Sequence, residues 1–471
     1  MKIFYEPTDG AFGDCMPMYW DGLYYLYHQR DPALDAPLSV PIGWALETTP
    51  DFVTFENHGE VIPGGTDDET DRYIFAGSVY AENESSFVAN YTGFNNLREG
   101  SGLPTQVLMR ASSDNLVDWV KEGAFELPPQ PGYDLGDWRD PFVFWDEDAG
   151  QWMLILGTRK EGAKILRNGS TVWFSSSDAK NWKFEGDLYA PGLYTGHEMP
   201  DEFRIDDKWY LLTTEYSDRS KTVYVVGDSA QGPWRRPFDD AFDGRAYYAA
   251  RSASDGERRF LFGWVANKKG NLDANTSWWG GTLVVHEVVQ REDGTLGVVP
   301  PEELFSAVMA DAAPLSASSL ASEGSRNTEI LADAKGSSYG FEAEIEVAEG
   351  TRQFTLLFNG DAETDDWYGY RIDLNENRLF FDRFPNWPWN RYDNKGLERP
   401  LPEGIADRPI RLRLIVDESV AVLYVDDIAL SARINESAGS LVGIEVEDGS
   451  ISLVNPRLGE VTRDLSPDKN A

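Results

Sequence analysis

An aspartate returns at positions 51, 114 and 178, an interval of roughly 63 residues, each time after a strand-like run and before an aromatic residue. The copies are Trp44-Ala45-Leu46-Glu47-Thr48-Thr49-Pro50-Asp51, Arg110-Ala111-Ser112-Ser113-Asp114 with Trp119, and Phe174-Ser175-Ser176-Ser177-Asp178 with Trp182. Self-similarity of this length in a chain of short alternating segments points to four-stranded units repeated around an axis. Dividing the first 300 residues by the period gives about five such blades. The repeated aspartates are read as turn formers that bond their own backbone.

Within the units, runs of five to seven residues alternate apolar and polar and are separated by Asp-Gly, Gly-Asp or Asn-Gly. Met18 to Gln29 reads as strand, Asp21-Gly22 turn, strand. Phe142 to Gly157 and Phe203 to Glu215 repeat that plan. After Pro300-Pro301-Glu302-Glu303-Leu304 the texture becomes Ala- and Ser-rich, with little strand pattern from Ser306 to Ser325. Further alternating runs follow between Tyr339 and Val454 and suit a β-sandwich. The expected fold is therefore all-β: a five-bladed β-propeller over residues 1–305, a linker over 306–325 and a C-terminal β-sandwich over 326–471.

The chain carries 80 Asp and Glu against 42 Lys and Arg, a formal charge of −38. Such a surface repels nucleic acid, anionic lipid and phosphorylated substrates at long range and favours a neutral ligand. The excess suits either a well-solvated surface or folding at high salt, where like charges are screened. No run of about 18 apolar residues could cross a membrane, and the N-terminus lacks a signal-peptide core, so a cytoplasmic protein is expected. Cys15 is the single cysteine and is read as a buried strand thiol. It allows no internal disulfide and no zinc cluster, so no metal and no cofactor are expected.

Three segments carry carboxylates among glycine, proline and aromatic residues: Gly13-Asp14-Cys15, Trp138-Arg139-Asp140-Pro141 and His197-Glu198-Met199-Pro200-Asp201. Two carboxyl groups across a sugar ring can divide the work of breaking a glycosidic bond, and a third can hold hydroxyls. At this point the chain resembles glycoside hydrolase family 32, the invertase, inulinase and levanase group. Arg139-Asp140-Pro141 matches the family's Arg-Asp-Pro motif, and Glu198-Met199-Pro200-Asp201 matches its Glu-Cys-Pro-Asp motif, with His197 in place of the usual tryptophan. Asp14 stands where the family's Asn-Asp-Pro-Asn-Gly motif does, without its flanking letters, ahead of a hairpin that ends at Gln29. Phe75-Ala76-Gly77-Ser78, Tyr91-Thr92-Gly93, Gly263-Trp264 and Trp279-Gly280-Gly281 resemble further family segments, and Leu414 to Arg433 resembles its sandwich.

The resemblance implies Asp14 as nucleophile, Glu198 as general acid and base, and Asp140 as the residue that bonds the furanose hydroxyls, with Arg139 beside it. It further implies substrate contacts from Trp44, Phe75, Ser78, His197, Gln29 and Trp279. His197 has a second reading, as a hydrogen-bonded structural residue. A nucleophile must stay ionised while the acid holds a proton, and burial with two negative neighbours is expected to raise the pKa of Glu198. A retaining mechanism on sucrose, a fructo-oligosaccharide or a related fructoside follows, with a covalent fructosyl intermediate and carboxyl groups about 5 to 5.5 Å apart. The alternatives are a furanosidase of the arabinanase type, a fructosyltransferase, and a carbohydrate-binding propeller without catalysis. The sandwich is expected to pack on the propeller, with a homodimer through it as an option.

Overall fold

The computed structural model describes residues 2–33, 36, 38–162 and 166–461. Blade I is built from Ala11–Trp20, Leu23–Asp31, Trp44–Thr49 and Glu56–Ile62, paired in that order. Blade II is Tyr73–Asn83, Ser86–Phe94, Gln106–Ser113 and Val120–Lys121; blade III is Tyr133–Asp146, Gln151–Lys160, Gly169–Ser176 and Lys183–Tyr189. Blade IV has three strands, Glu198–Ile205, Lys208–Glu215 and Lys221–Gly227, and its outer edge is completed by bridges from Ala241 and Arg235. Blade V, Tyr247–Ser254, Arg259–Lys268, Ser277–Gln290 and Leu296–Val299, closes the ring by pairing Gly281 with Phe12 of blade I. The five first strands touch one another in a closed circle around the axis. Among the described residues no helix is long and apolar enough to cross a membrane.

The periodic aspartates mark the turn between the third and fourth strands of a blade. Hydroxyls open it: Thr49 Oγ1 accepts the Phe52 N–H at 2.8 Å and Ser113 Oγ accepts the Leu116 N–H at 2.9 Å. Asp51 Oδ1 then accepts from Val53 and Thr54 at 3.0 and 2.7 Å, and Asp178 Oδ1 from Lys180 and Asn181 at 3.0 and 2.8 Å. The middle copy departs from expectation, because Asn115 rather than Asp114 accepts the backbone bonds, from Val117 and Asp118. Phe52, Leu116 and Ala179, all left-handed, are buried. The Leu116 carbonyl accepts from Tyr27 of blade I at 2.5 Å, and the Ala179 carbonyl from Arg110 of blade II at 3.2 Å. Phe52 packs on Phe260 and Phe262 of blade V. The repeat is thus a clasp by which each of these blades grips the one before it.

A short helix, Glu302–Val308, leads from the propeller to a second body whose strands all belong to one continuous ladder. The long strand Leu441–Glu460 organises it. Its first part pairs with Gln353–Asp361 and its second with Ser338–Val347, so one strand serves both layers of the sandwich. The change of layer falls at Asp448 and Gly449, with φ 51° and 145°; a Cβ on Gly449 would stand 2.4 Å from Thr351 Cα, so only glycine fits. The stretch 306–325, read as lacking strand, contains the end of the helix and the start of Ser318–Asp333. That edge strand is largely exposed, so it shows little apolar alternation; its register comes from the ladder with Leu441–Glu460.

The two bodies share a core. One apolar cluster runs from Phe203, Leu212 and Val284 of blades IV and V to Phe341, Leu414 and Leu430 of the sandwich. Polar ties reinforce it: Arg433 donates to the Ala266 and Val265 carbonyls, and the N–H groups of Ile3 and Phe4 both bond Asp417 at 2.8 Å.

Candidate active site

Each innermost strand breaks its ladder near the axis. The register shifts fall between Phe12 and Cys15, Phe75 and Gly77, Arg139 and Phe142, Glu198 and Asp201, and Tyr248 and Arg251. A bulge re-aims side chains out of the regular alternation, which is how a strand edge can point a polar group at the axis. Asp14, Asp140, Glu198 and Tyr248 lie within or at the edge of four of these five bulges. Asp140, Met199 and Ala249 take left-handed φ of 60°, 49° and 53°, which rigid surroundings must hold.

Those surroundings are bonds between blades. The Asp140 N–H donates to Thr92 Oγ1 of blade II at 2.8 Å, and Asp140 Oδ2 accepts the Met199 N–H of blade IV at 3.0 Å. Arg251, buried on blade V, donates to the Asp140, Pro141 and Pro200 carbonyls. One guanidinium therefore pins blades III, IV and V beneath the carboxylates.

The three carboxylates predicted from sequence converge. Burial first, then the charges of Asp140 and Glu198, pushes Asp14 up to about 8; a 3.1 Å bond from Trp264 Nε1 and the charge of Arg251 offset part of this. Burial likewise raises Asp140, which is 3% exposed, against the opposing pull of Arg139, the Met199 N–H and Arg251. Glu198 is held from both sides: Oε1 accepts from Arg139 at 2.9 Å and Oε2 from the Tyr248 hydroxyl at 2.5 Å. Arg139 lies 3.6 Å from Asp140 and also bonds Asp137. Burial alone would lower its pKa, but Glu198 and Asp140 keep it above its ordinary value, a permanent cation. Burial and the Glu198 charge hold Tyr248 well above the usual phenol range. The set can keep one carboxyl protonated beside ionised ones, which acid-assisted displacement requires.

The other expected contacts divide. Trp279 is half-buried against Gly13, where a Cβ would stand 2.4 Å from the indole, and its ring lies 6.0 Å from that of Trp264. Phe75 is half-buried and stacks on Phe94. Trp44, Ser78 and Gln29 are placed as ties inside the walls rather than as the expected contacts, and His197 is placed as in the second of its two readings. Trp44 is 0% exposed and donates to the Phe75 carbonyl at 3.1 Å; Ser78 Oγ accepts the Val143 N–H at 3.0 Å; Gln29 donates to the Ile74 carbonyl at 3.3 Å. His197 meets Thr171 Oγ1 at 3.0 Å and stacks on Tyr189, and burial pushes it down to about 4, hence neutral. Sequence reasoning did not find Tyr248 or Arg251, and gave Thr92 and Trp264 no partner. The one available signal was Gly263 before Trp264, since a Cβ there would stand 2.5 Å from the Tyr247 ring.

The chain is similar in sequence and in fold to known proteins. A model of the glycosyl hydrolases family 32 N-terminal domain matches residues 6–300. The levanase of Bacillus subtilis (strain 168) is 26% identical over 450 residues, 87% of this chain and 62% of the levanase. The invertase of Wickerhamomyces anomalus is 25% identical over 280 residues, 55% of this chain and 46% of the invertase. The sucrose-6-phosphate hydrolase of Staphylococcus xylosus is 23% identical over 449 residues, 90% of this chain and 84% of the hydrolase. The matches thus span less than two thirds of the levanase and under half of the invertase. Among solved structures, fructan 1-exohydrolase IIa from Cichorium intybus superposes with a TM-score of 0.78 at 17% identity, covering 98% of this chain and 97% of that one, a likeness of fold.

Proposed function

Because the chain belongs to glycosyl hydrolase family 32, we propose that it is a retaining glycoside hydrolase that cleaves terminal β-fructofuranosyl linkages of sucrose, fructo-oligosaccharides or a related fructoside. The observation that supports this most is the meeting of Asp14, Asp140 and Glu198, from three separate blades, in one electrostatically linked set. Relatives named levanase, invertase and sucrose-6-phosphate hydrolase favour a fructosyl unit as the group transferred.

In this reading an Asp14 carboxylate oxygen attacks the anomeric carbon while the bond to the leaving oxygen breaks and Glu198 gives that oxygen its proton. Water then attacks the same carbon, its proton passes to Glu198, and the ester to Asp14 breaks. With Asp14 up at about 8, the empty site holds a shared proton at neutral pH. Passing that proton to Glu198 as the sugar enters leaves Asp14 ionised for attack. Asp140 accepts from furanose hydroxyls, and Arg139 and Tyr248 fix the orientation of Glu198.

The test is to incubate the protein with sucrose, inulin, levan oligosaccharides, difructose anhydrides and arabinofuranosides, identify the released sugar, and follow its anomeric form by NMR. Fructose released first with retained configuration is expected. Initial inversion, or arabinose as the only product, contradicts the reading.

A further inference from the structure

A cavity of about 1400 Å³ lies where blades IV and V meet the sandwich, and it holds none of the three carboxylates of the candidate active site. Ligand pockets run roughly 300–1,000 Å³, so it is roomy enough for a small metabolite and its water. Its lining contradicts the rest of the surface. In a chain with 42 Lys and Arg among 471 residues, eight of them fall among the 24 residues that line this one space.

Five of those cations are arginines matched by carboxylates, Arg399 by Asp239 and Arg291 by Asp427 among them, both at 2.7 Å. Lys221, Arg235 and Arg413 have no carboxylate partner among the described residues. Two of the three are deep: Lys221 is 9% exposed and Arg413 is 7% exposed. Among the described residues Lys221 donates to the Glu398 carbonyl, at 3.1 Å, and Arg413 to the Asp426 carbonyl, at 3.4 Å, with its guanidinium 5.7 Å from the centre of the Phe305 ring. Burial, then Arg399 and Arg219, pushes Lys221 down to about 8, with Asp239 and Asp243 offsetting only part. Of the seven lining carboxylates, Asp293 and Glu403 alone lack a paired cation among the described residues, and Asp293 is committed to Thr295. The balance of unpaired charge is cationic. Phe238, 94% exposed, adds an apolar face on the same lining.

A buried cation without a counter-charge is costly, and an incoming anion removes that cost. We propose that this junction cavity binds a multiply charged, phosphate-bearing small molecule, whose anionic groups pair with Lys221 and Arg235 of the propeller and Arg413 of the sandwich. Arginine and lysine are the residues that recognise phosphate in this way. Binding here would strap the two bodies together and is independent of the fructosidase reading.

The experiment is isothermal titration of the full chain with inorganic pyrophosphate and with inorganic phosphate, at ionic strength held constant with sodium chloride. Fructose serves as a neutral control. Saturable binding of pyrophosphate is expected, with affinity at least tenfold weaker in Arg235→Glu and in Lys221→Met. Because Arg235 is exposed, its variant keeps the fold; should Lys221→Met fail to fold, Arg235→Glu alone decides. No heat beyond the chloride control, or equal affinity in the wild type and Arg235→Glu, overturns the proposal. Since the readout is binding of a non-sugar anion, it stands or falls separately from any loss of sugar hydrolysis.

Discussion

Asp14 at the axis, partly exposed, and Asp243 at the junction, buried, are aspartates that their surroundings treat in opposite ways. Asp243 Oδ2 meets His286 Nε2 at 3.1 Å and the Ser431 hydroxyl at 2.6 Å, while Oδ1 accepts the Ser431 N–H at 2.7 Å and the Gly244 N–H. Burial alone would raise its pKa, but these bonds and the charge of His286 carry it below the usual carboxylate value. Asp14 has one bond, from Trp264, and two acidic neighbours, and it is pushed up to about 8. The more deeply buried aspartate is thus held ionised as a strut, and the partly exposed one is pushed toward its protonated form. The deciding quantity is how completely the charge is compensated.

The largest effect expected from breaking this contrast is chemical. Asp14→Asn and Glu198→Gln should each lower kcat by about 10³-fold or more on any fructoside turned over, with unchanged circular dichroism. Next in size is the strut: Asp243→Ala leaves His286 Nε2 and the Ser431 hydroxyl and N–H without Asp243 in the interior and should cost about 3–5 kcal/mol in denaturant unfolding. Activity per folded molecule should survive that change.

A third outcome sharpens the comparison through pH. The folded pKa of Asp14, about 8, lies above its ordinary 3.8, so the native state holds the proton more tightly than the unfolded chain. The stability linked to that proton is present in full below about 3.8 and is lost as pH rises toward 8. Asp14→Asn removes the loss. Allowing for partial solvent access and the shared proton, the variant should be about 2 kcal/mol more stable than wild type at pH 7 to 8, with the gain vanishing near pH 4. A variant less stable at every pH would show that Asp14 is a strut after all. In wild type, kcat/KM should fall as pH rises through about 8, as the set gives up its proton.

The smallest effect is expected at Tyr248→Phe, which strips one bond from Glu198. A loss of about tenfold in kcat/KM should come with a displaced pH profile, whereas a packing role alone would leave that profile in place.

Much of this arrangement was legible before any coordinates. The alternating runs, the Asp21-Gly22 turn and the spacing of the clasps reflect local chemistry, because a turn needs its left-handed residue and its capping oxygen wherever it falls. Arg139-Asp140-Pro141 and Glu198 were legible for a similar reason, since each motif is contiguous. Tyr248, Arg251 and the Thr92 and Trp264 bonds were not, because their roles arise from contacts between blades dozens of residues apart. Trp44, Gln29 and Ser78 misled in the opposite direction: aromatic and polar residues beside a sugar motif resemble a lining, yet here they bond the backbone of the next blade or a neighbouring strand. The proton was likewise expected on Glu198, whereas the strong upward shift falls on Asp14, whose depth no letter in Gly13-Asp14-Cys15 reveals. Ser318–Asp333 was missed because an exposed edge strand carries little pattern of its own.

The most direct test of the central claim is to trap the intermediate. Wild-type protein is quenched in acid during turnover of a fructoside with a good leaving group, and the peptides are mapped by mass spectrometry. The account predicts one added fructosyl unit on the peptide bearing Asp14, absent from Asp14→Asn. An adduct on Asp140 instead, or steady turnover with no adduct and inverted product, would contradict it.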